Sequence, residues 1–330
     1  MKSTFLVLVG ALVFGHAAWM PASAYDQPDL PPLRTTVPEQ SKPPGDATTA
    51  KASTKPVKTI CAMTINSQDE VQAFMKRLRV NQPGSRFKFV ELTKLGSDSS
   101  WFRNACRSKV QCDVLLVSAH FGGTLFGDKN KIRLTMSELE EASCNNTCDG
   151  ILKAPKEVFL FTCNMLAGKQ RDVRTPRQYY QVLLEYYPPH IAQYYVQTRY
   201  GAWGGTFVGR TTRAFYGVPR LYGYPSISPL GKASGAWVTR YLSAIADYGR
   251  HLDAIKPNTR NQTMIRTMGY TGMIQKTGVM PGTLGAKVRT NLCNYFNAGS
   301  TEGKLAVLAS NLREEKFEPY LTYVEEFYRE

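Results

Sequence analysis

The sequence predicts an α/β protein with a mostly parallel sheet covered by helices on both faces, followed by a mainly helical C-terminal part. Two observations predict it. Short apolar runs alternate between residues 58 and 231 with stretches whose apolar residues recur at helical spacing. Two of those runs, Val114 to Val117 and Val158 to Phe161, are apolar at every position. Strands covered on both faces read that way, whereas half-exposed strands alternate.

Taken in order, "KTICAMTI" is a short strand. "SQDEVQAFMKRLRV" is a helix with Ser67 as N-cap, Glu70 completing a capping box, and Val71, Phe74, Met75 and Leu78 on one face. "RFKFVEL" alternates and gives a second strand, and "SSWFRNACRSK" a short helix. "CDVLLVSAHFGG" is a strand running into His120, and "TMSELEEASC" is helical. "EVFLFTCNMLAG" is the next strand, ending at Thr162 and Cys163. Residues 174–201 form two helices, starting at Thr175-Pro176, broken at Pro188-Pro189 and stopped by Gly201. Their tyrosine pairs pack helix against sheet. "RLYGYPSISPLG" is a further strand whose loop opens at the same sheet edge. Residues 232–330 are mainly helical, with "ASGAWVTRYLSAIADYG" and "FEPYLTYVEEFY" the clearest pieces, while 266–290 carries no assignable period.

The first 24 residues read as a secretory signal: Lys2, an apolar stretch from Phe5 to Phe14, and Ala22-Ser23-Ala24 before the cut. Residues 25–57 hold seven prolines among Ser, Thr and Lys, and form a disordered leader that docks nothing. The domains expected are therefore 1–24 signal, 25–57 leader, 58–231 α/β core and 232–330 helical extension. No later run reaches the ~18 apolar residues that a membrane-spanning helix needs, so the mature chain is expected to be periplasmic or extracellular. The leader's charges balance and the signal holds only Lys2, so nearly all of the formal net charge of +15 belongs to the folded part. In an exported protein that charge suits anionic envelope surfaces or acidic protein partners rather than nucleic acid.

Seven cysteines in an oxidising compartment leave at least one unpaired. Cys163 is the free one, because it sits just past a strand's C-terminal end, where open α/β sheets place their chemistry. Cys144 and Cys148, flanking "NNT", read as a disulfide rather than a zinc site, since no further ligands stand at metal spacing. No metal and no cofactor is expected. Of the histidines past the signal, His190 opens a helix, and His251 in "DYGRHLDAI" reads as a solvated turn. Only His120 follows a buried strand and precedes glycines. A neighbouring His can take the proton of a Cys thiol and later protonate a leaving amine, while backbone N–H groups hold the oxyanion.

An apolar strand ending in His and Gly, followed by an apolar strand ending in a small residue and Cys, resembles the caspase-like (clan CD) cysteine peptidases. "VFLFTCNMLAG" is most similar to their CHAT and separase branch. The resemblance covers about residues 113–168, and "RLYGYPSISPLG" more weakly. It implies a caspase-like fold, a His120/Cys163 dyad, and peptide-bond hydrolysis through a thioester. It also implies an oxyanion hole from the amides of Cys163 and Gly122, and a protein or peptide substrate. Two positions depart from the pattern: Phe121 stands between His120 and the glycines, and Thr162 precedes Cys163. A catalytically inactive binding or scaffold protein on the same fold is the alternative, and an acyl transferase using the same pair a third. Asp113, Asp128 and Asp149 lie near the motif and would suit a basic substrate side chain if they faced the site, though acidic loop residues are usually just solvated; Asn145 and Asn261 stand in N-x-T sequons, to which no role is assigned.

Overall fold

The structure is a computed structural model that describes residues 57–81, 86–96, 100–128, 132–168, 174–200, 206–229, 231–312 and 324. The signal, the leader up to residue 56 and nearly all of "FEPYLTYVEEFY" lie outside the described residues, as does Gly201.

Strand β1 (Lys58–Thr64) leads into α1 (Asp69–Asn81), whose Val71, Phe74 and Leu78 are buried. At its start Ser67 Oγ accepts from the Asp69 N–H at 3.1 Å, and the buried Glu70 of the predicted capping box bonds both the Ser67 side chain and, at 3.2 Å, the Ser118 hydroxyl. β2 (Phe87–Glu91), α2 (Trp101–Arg107) and β3 (Val114–Ser118) follow. The chain then makes a small antiparallel sheet from β4 (His120–Phe121), β5 (Thr124–Phe126) and β6 (Arg133–Thr135). α3 (Met136–Cys144) starts at a true capping box between Thr135 and Glu138, and α4 (Asp149–Leu152) precedes β7 (Glu157–Phe161).

α5 (Pro176–Leu184) and α6 (Pro189–Tyr200) are the two tyrosine-bearing helices, the first capped by Thr175 with Gln178. α7 (Phe207–Ala214), β8 (Arg220–Gly223), α8 (Gly231–Ser243), α9 (Tyr248–Asp253) and α10 (Gln262–Thr267) come next. β9 (Ile274–Lys276), α11 (Leu284–Asn297) and α12 (Thr301–Leu312) complete the described elements. The unassigned stretch 266–290 thus contains an edge strand.

The main sheet has six strands in the order β2-β1-β3-β7-β8-β9, parallel except for the antiparallel β8–β9 pair. Alternate residues of each strand feed two separate cores. Cys61, Met63, Leu115, Val117, Val158 and Leu160 face α2, α3 and α7. Ile60, Ala62, Val114, Leu116, Phe159 and Phe161 face α1, α8 and α9. That double cover is why the central strands are apolar throughout. Each buried Phe or Leu contributes about 1.5–3 kcal/mol relative to exposure.

Three disulfides join Cys61 to Cys112, Cys106 to Cys148, and Cys144 to Cys293. Cys163 is free. The predicted pairing of Cys144 with Cys148 is therefore corrected. Each of the two reaches a different element: Cys144 meets α11, and Cys148 meets α2. Among the described residues no helix is long and apolar enough to cross a membrane.

Candidate active site

Three neighbouring parallel strands build the site. Thr64 of β1 pairs with Ser118 of β3, and Ser118 pairs with Phe161 of β7. Two residues past that row lie Asn66, His120 and Cys163. Strands lie about 4.8 Å apart, so equal offsets bring three polar side chains to one sheet edge. The order β2-β1-β3 also reverses direction at β1, and ligands of open α/β sheets bind outside the carboxyl ends of strands near such a reversal.

Cys163 is half-buried at the turn after β7. Its Sγ accepts the Ser228 N–H at 3.3 Å. Asn164 takes a left-handed backbone conformation, φ 62°, which Asn tolerates better than most residues. Its N–H donates to Ser226 C=O at 2.8 Å, and Leu166 N–H donates to Tyr224 C=O at 3.2 Å. Thr211 Oγ1 donates to Met165 C=O at 2.8 Å. The turn carrying the thiol is thus tied to the loop after β8 and to α7. The Asn164 side chain accepts from the Arg199 guanidinium and, at 3.4 Å, from Arg174.

His120 opens β4 and remains one-third exposed. Its Nε2 lies 2.9 Å from Asp128 Oδ1 and 3.0 Å from Asn66 Nδ2. The Asp128 N–H donates to Asn66 Oδ1 at 3.2 Å, which orients the amide. An ionised carboxylate can only accept, so the tautomer with the proton on Nε2 suits Asp128 and leaves Nδ1 as the proton acceptor; the Asn66 amide N–H, itself a donor, then makes no hydrogen bond to that nitrogen. The imidazole packs against Phe126 and Tyr186, with ring centroids 5.3 and 6.0 Å away. Burial raises the Tyr186 phenol above its ordinary range, and the charges of Asp128, Glu185 and Cys163 add to the shift. Tyr186 therefore stands in the field of both halves of the site.

The sulfur and the imidazole share no hydrogen bond with each other; each is held by other partners. The Gly122 N–H donates to Thr124 C=O at 3.3 Å. Gly122 is buried under α5, where a Cβ would stand 2.8 Å from Leu183 Cδ2. Asp113 instead serves β1, accepting the Thr59 N–H at 2.8 Å, and Asp149 pairs with Lys153.

Sequence reasoning passed over Asn66, Ser228 and Arg199, and gave Asp128 a different role. Asn66 carried a readable signal, since it follows β1 at the offset at which His120 follows β3. His251 is corrected: it is no solvated turn, for its Nε2 lies 3.1 Å from the fully buried Glu157. Asn261, part of a sequon, is buried and caps α10. The tyrosines of α5 and α6 cluster between those helices, and Tyr186, Tyr187 and Tyr195 also meet the small sheet at Phe126 and Thr124. Among the described residues no group of His, Cys, Asp and Glu could hold a metal ion. No family model matches the chain, and no curated protein or solved structure matches it.

Proposed function

We propose that the chain is an exported caspase-like cysteine peptidase that hydrolyses peptide bonds through a Cys163/His120 dyad. One observation carries this reading. The single free thiol among seven cysteines stands on the strand next to His120, at the same distance past the paired row. The three disulfides and the absence of a membrane-spanning helix among the described residues support export.

In the proposed reaction the Cys163 proton passes to His120 Nδ1 and the thiolate attacks the scissile carbonyl. The C–N bond then breaks as the imidazolium protonates the leaving amine, and the acyl group remains as a thioester. Water attacks the thioester, giving one proton to His120. That proton returns to the departing sulfur, and the carboxylic acid leaves. Asp128 holds the imidazole's tautomer and stabilises its charged form. The long Gly122 contact to Thr124 would have to yield for that amide to serve the oxyanion.

The alternative, a catalytically inactive binding or scaffold protein, draws on the Ser228 N–H that holds Sγ away from any bond to His120. Catalytic hydrogen bonds in free enzymes are often long and tighten only with substrate, so the peptidase reading keeps the lead. A peptide-library digest with wild type, Cys163→Ala and His120→Ala decides between them. The expected result is cleavage by wild type alone, with the His120→Ala protein still folded and slower by about 10²–10⁴-fold. Equal activity in the three proteins would sink the dyad.

A further inference from the structure

We propose that Arg199 is a positioning residue for Cys163, its guanidinium fastening together the two loops that hold the thiol. The inference rests on the peptidase reading only for its effect on turnover.

Arg199 lies in the last turn of α6 and is 2% exposed. It stacks on the rings of Tyr179 and Tyr200, at 4.9 and 5.1 Å from their centroids. From there it donates to Asn164 Oδ1 in the loop after β7 and makes a longer contact, 3.4 Å, to Pro225 C=O in the loop after β8. The same two loops are joined three times more: Asn164 N–H meets Ser226 C=O, Leu166 N–H meets Tyr224 C=O, and Ser228 N–H meets Cys163 Sγ. A closed ring results, running from Arg199 through Asn164 and Cys163 to Ser228, Pro225 and back.

Burying a guanidinium costs far more than burying an apolar side chain of its volume. A filler between two loops would not need one. The planar fork offers what a filler lacks, namely donors aimed at acceptors on two separate segments. Asn164 is suited to the other end. It is 1% exposed, tolerates the left-handed backbone at the residue after the nucleophile, and presents a carbonyl to the guanidinium. Without the clamp only the two backbone bonds and the long Ser228 contact join the loops, so the loop after β8 can shift and weaken the hold of the Ser228 N–H on the sulfur. A hydrogen bond to the charged form favours that form, so the thiolate becomes harder to make.

The test uses the whole protein and iodoacetamide, which reports on the thiolate without any substrate. Alkylation of Cys163 is followed against pH in wild type, Arg199→Met, Arg199→Lys and Asn164→Gly, with melting temperatures alongside. The midpoint should move up by about one pH unit in Arg199→Met and in Asn164→Gly, a fall of about 10-fold in rate near neutral pH. Arg199→Lys should lie between. Peptide turnover should fall through kcat with KM little changed. A purely structural Arg199 would lower the melting temperature and leave the alkylation profile where it was; that result in folded Arg199→Met overturns the proposal. Should Arg199→Met fail to fold, Asn164→Gly decides, because glycine keeps the left-handed backbone and removes only the acceptor. A shifted alkylation profile in a protein that cleaves no peptide would uphold the clamp and refute the peptidase.

Discussion

Asp128 favours a proton on Nε2 of His120, which in the proposed dyad leaves Nδ1 for the thiol, and it does so from a half-exposed position where its charge adds little to stability. Asp128→Asn keeps the shape and removes the charge that selects the Nε2–H tautomer. Turnover should fall by about 10–100-fold, within the range ascribed to a positioned acid–base group. Unfolding free energy should change by less than about 0.5 kcal/mol. Measuring kcat and urea unfolding on one sample checks both, and an unchanged kcat refutes the tautomer role. Residues such as His120 and Cys163 were legible in the sequence because each ends a run of buried strand residues, a purely local pattern. Asp128 was not, because its role depends on a hairpin folding back over β1. His251 was misread for the same reason: its neighbours in the chain are polar, while its partner Glu157 is 94 positions away.

At the scale of elements, the β4–β5 hairpin carries His120 and is fixed by the helix lying over it. Gly123 has φ 101°, and a Cβ there would stand 1.9 Å from the Tyr195 ring of α6. The Thr124 hydroxyl bonds the Tyr195 hydroxyl at 3.0 Å beside it. Gly123→Ala meets both backbone strain and overpacking, each costing about 1–3 kcal/mol. The melting temperature should drop by about 2–12 °C, and turnover with it, as the hairpin shifts off α6. A variant that melts like wild type would show the hairpin to be free of the helix. The central strands and α5 and α6 were readable from apolar runs, caps and prolines. The break between β3 and β4 was not, since "VSAHF" has no turn residue and the chain leaves the sheet there for tertiary reasons. Nor was β9, whose three residues become a strand only because β8 offers an edge. The contact between Ser67 and Glu70 was a local pattern and could be read, whereas the further bond from Ser118 to Glu70 joins residues 48 positions apart and could not.

Across the whole molecule the far end of β7 is anchored as firmly as the end that leads to Cys163 is held. Glu157, the first residue of that strand, is fully buried and accepts from Tyr222, Tyr248, Tyr241, Asn261, Arg220 and His251. These donors come from β8, α8, α9 and the start of α10, so one carboxylate draws together much of the second core. Burial pushes its pKa up, but the hydrogen bond and charge of His251 and the phenols of Tyr222 and Tyr248 outweigh it and hold the carboxyl below the usual range. Burial beside that carboxylate raises all three phenols well above theirs, so they remain neutral donors. A carboxyl with a folded pKa below its unfolded one stabilises the fold fully above the unfolded value of about 4.5. That stability drains as pH falls from there through the folded value. Glu157→Gln keeps the shape, loses the charge, and sets an amide N–H against donors; at neutral pH it should cost about 3–5 kcal/mol, as breaking a buried ion pair does. Its stability should then change much less than that of wild type on acidification, so the gap between the two curves narrows as pH falls below about 4.5. Denaturant unfolding of both proteins at several pH values between about 7 and 3 measures this. Parallel curves would mean that other carboxylates govern the acid limb and that Glu157 sits in its ring of donors with no net advantage to its charge.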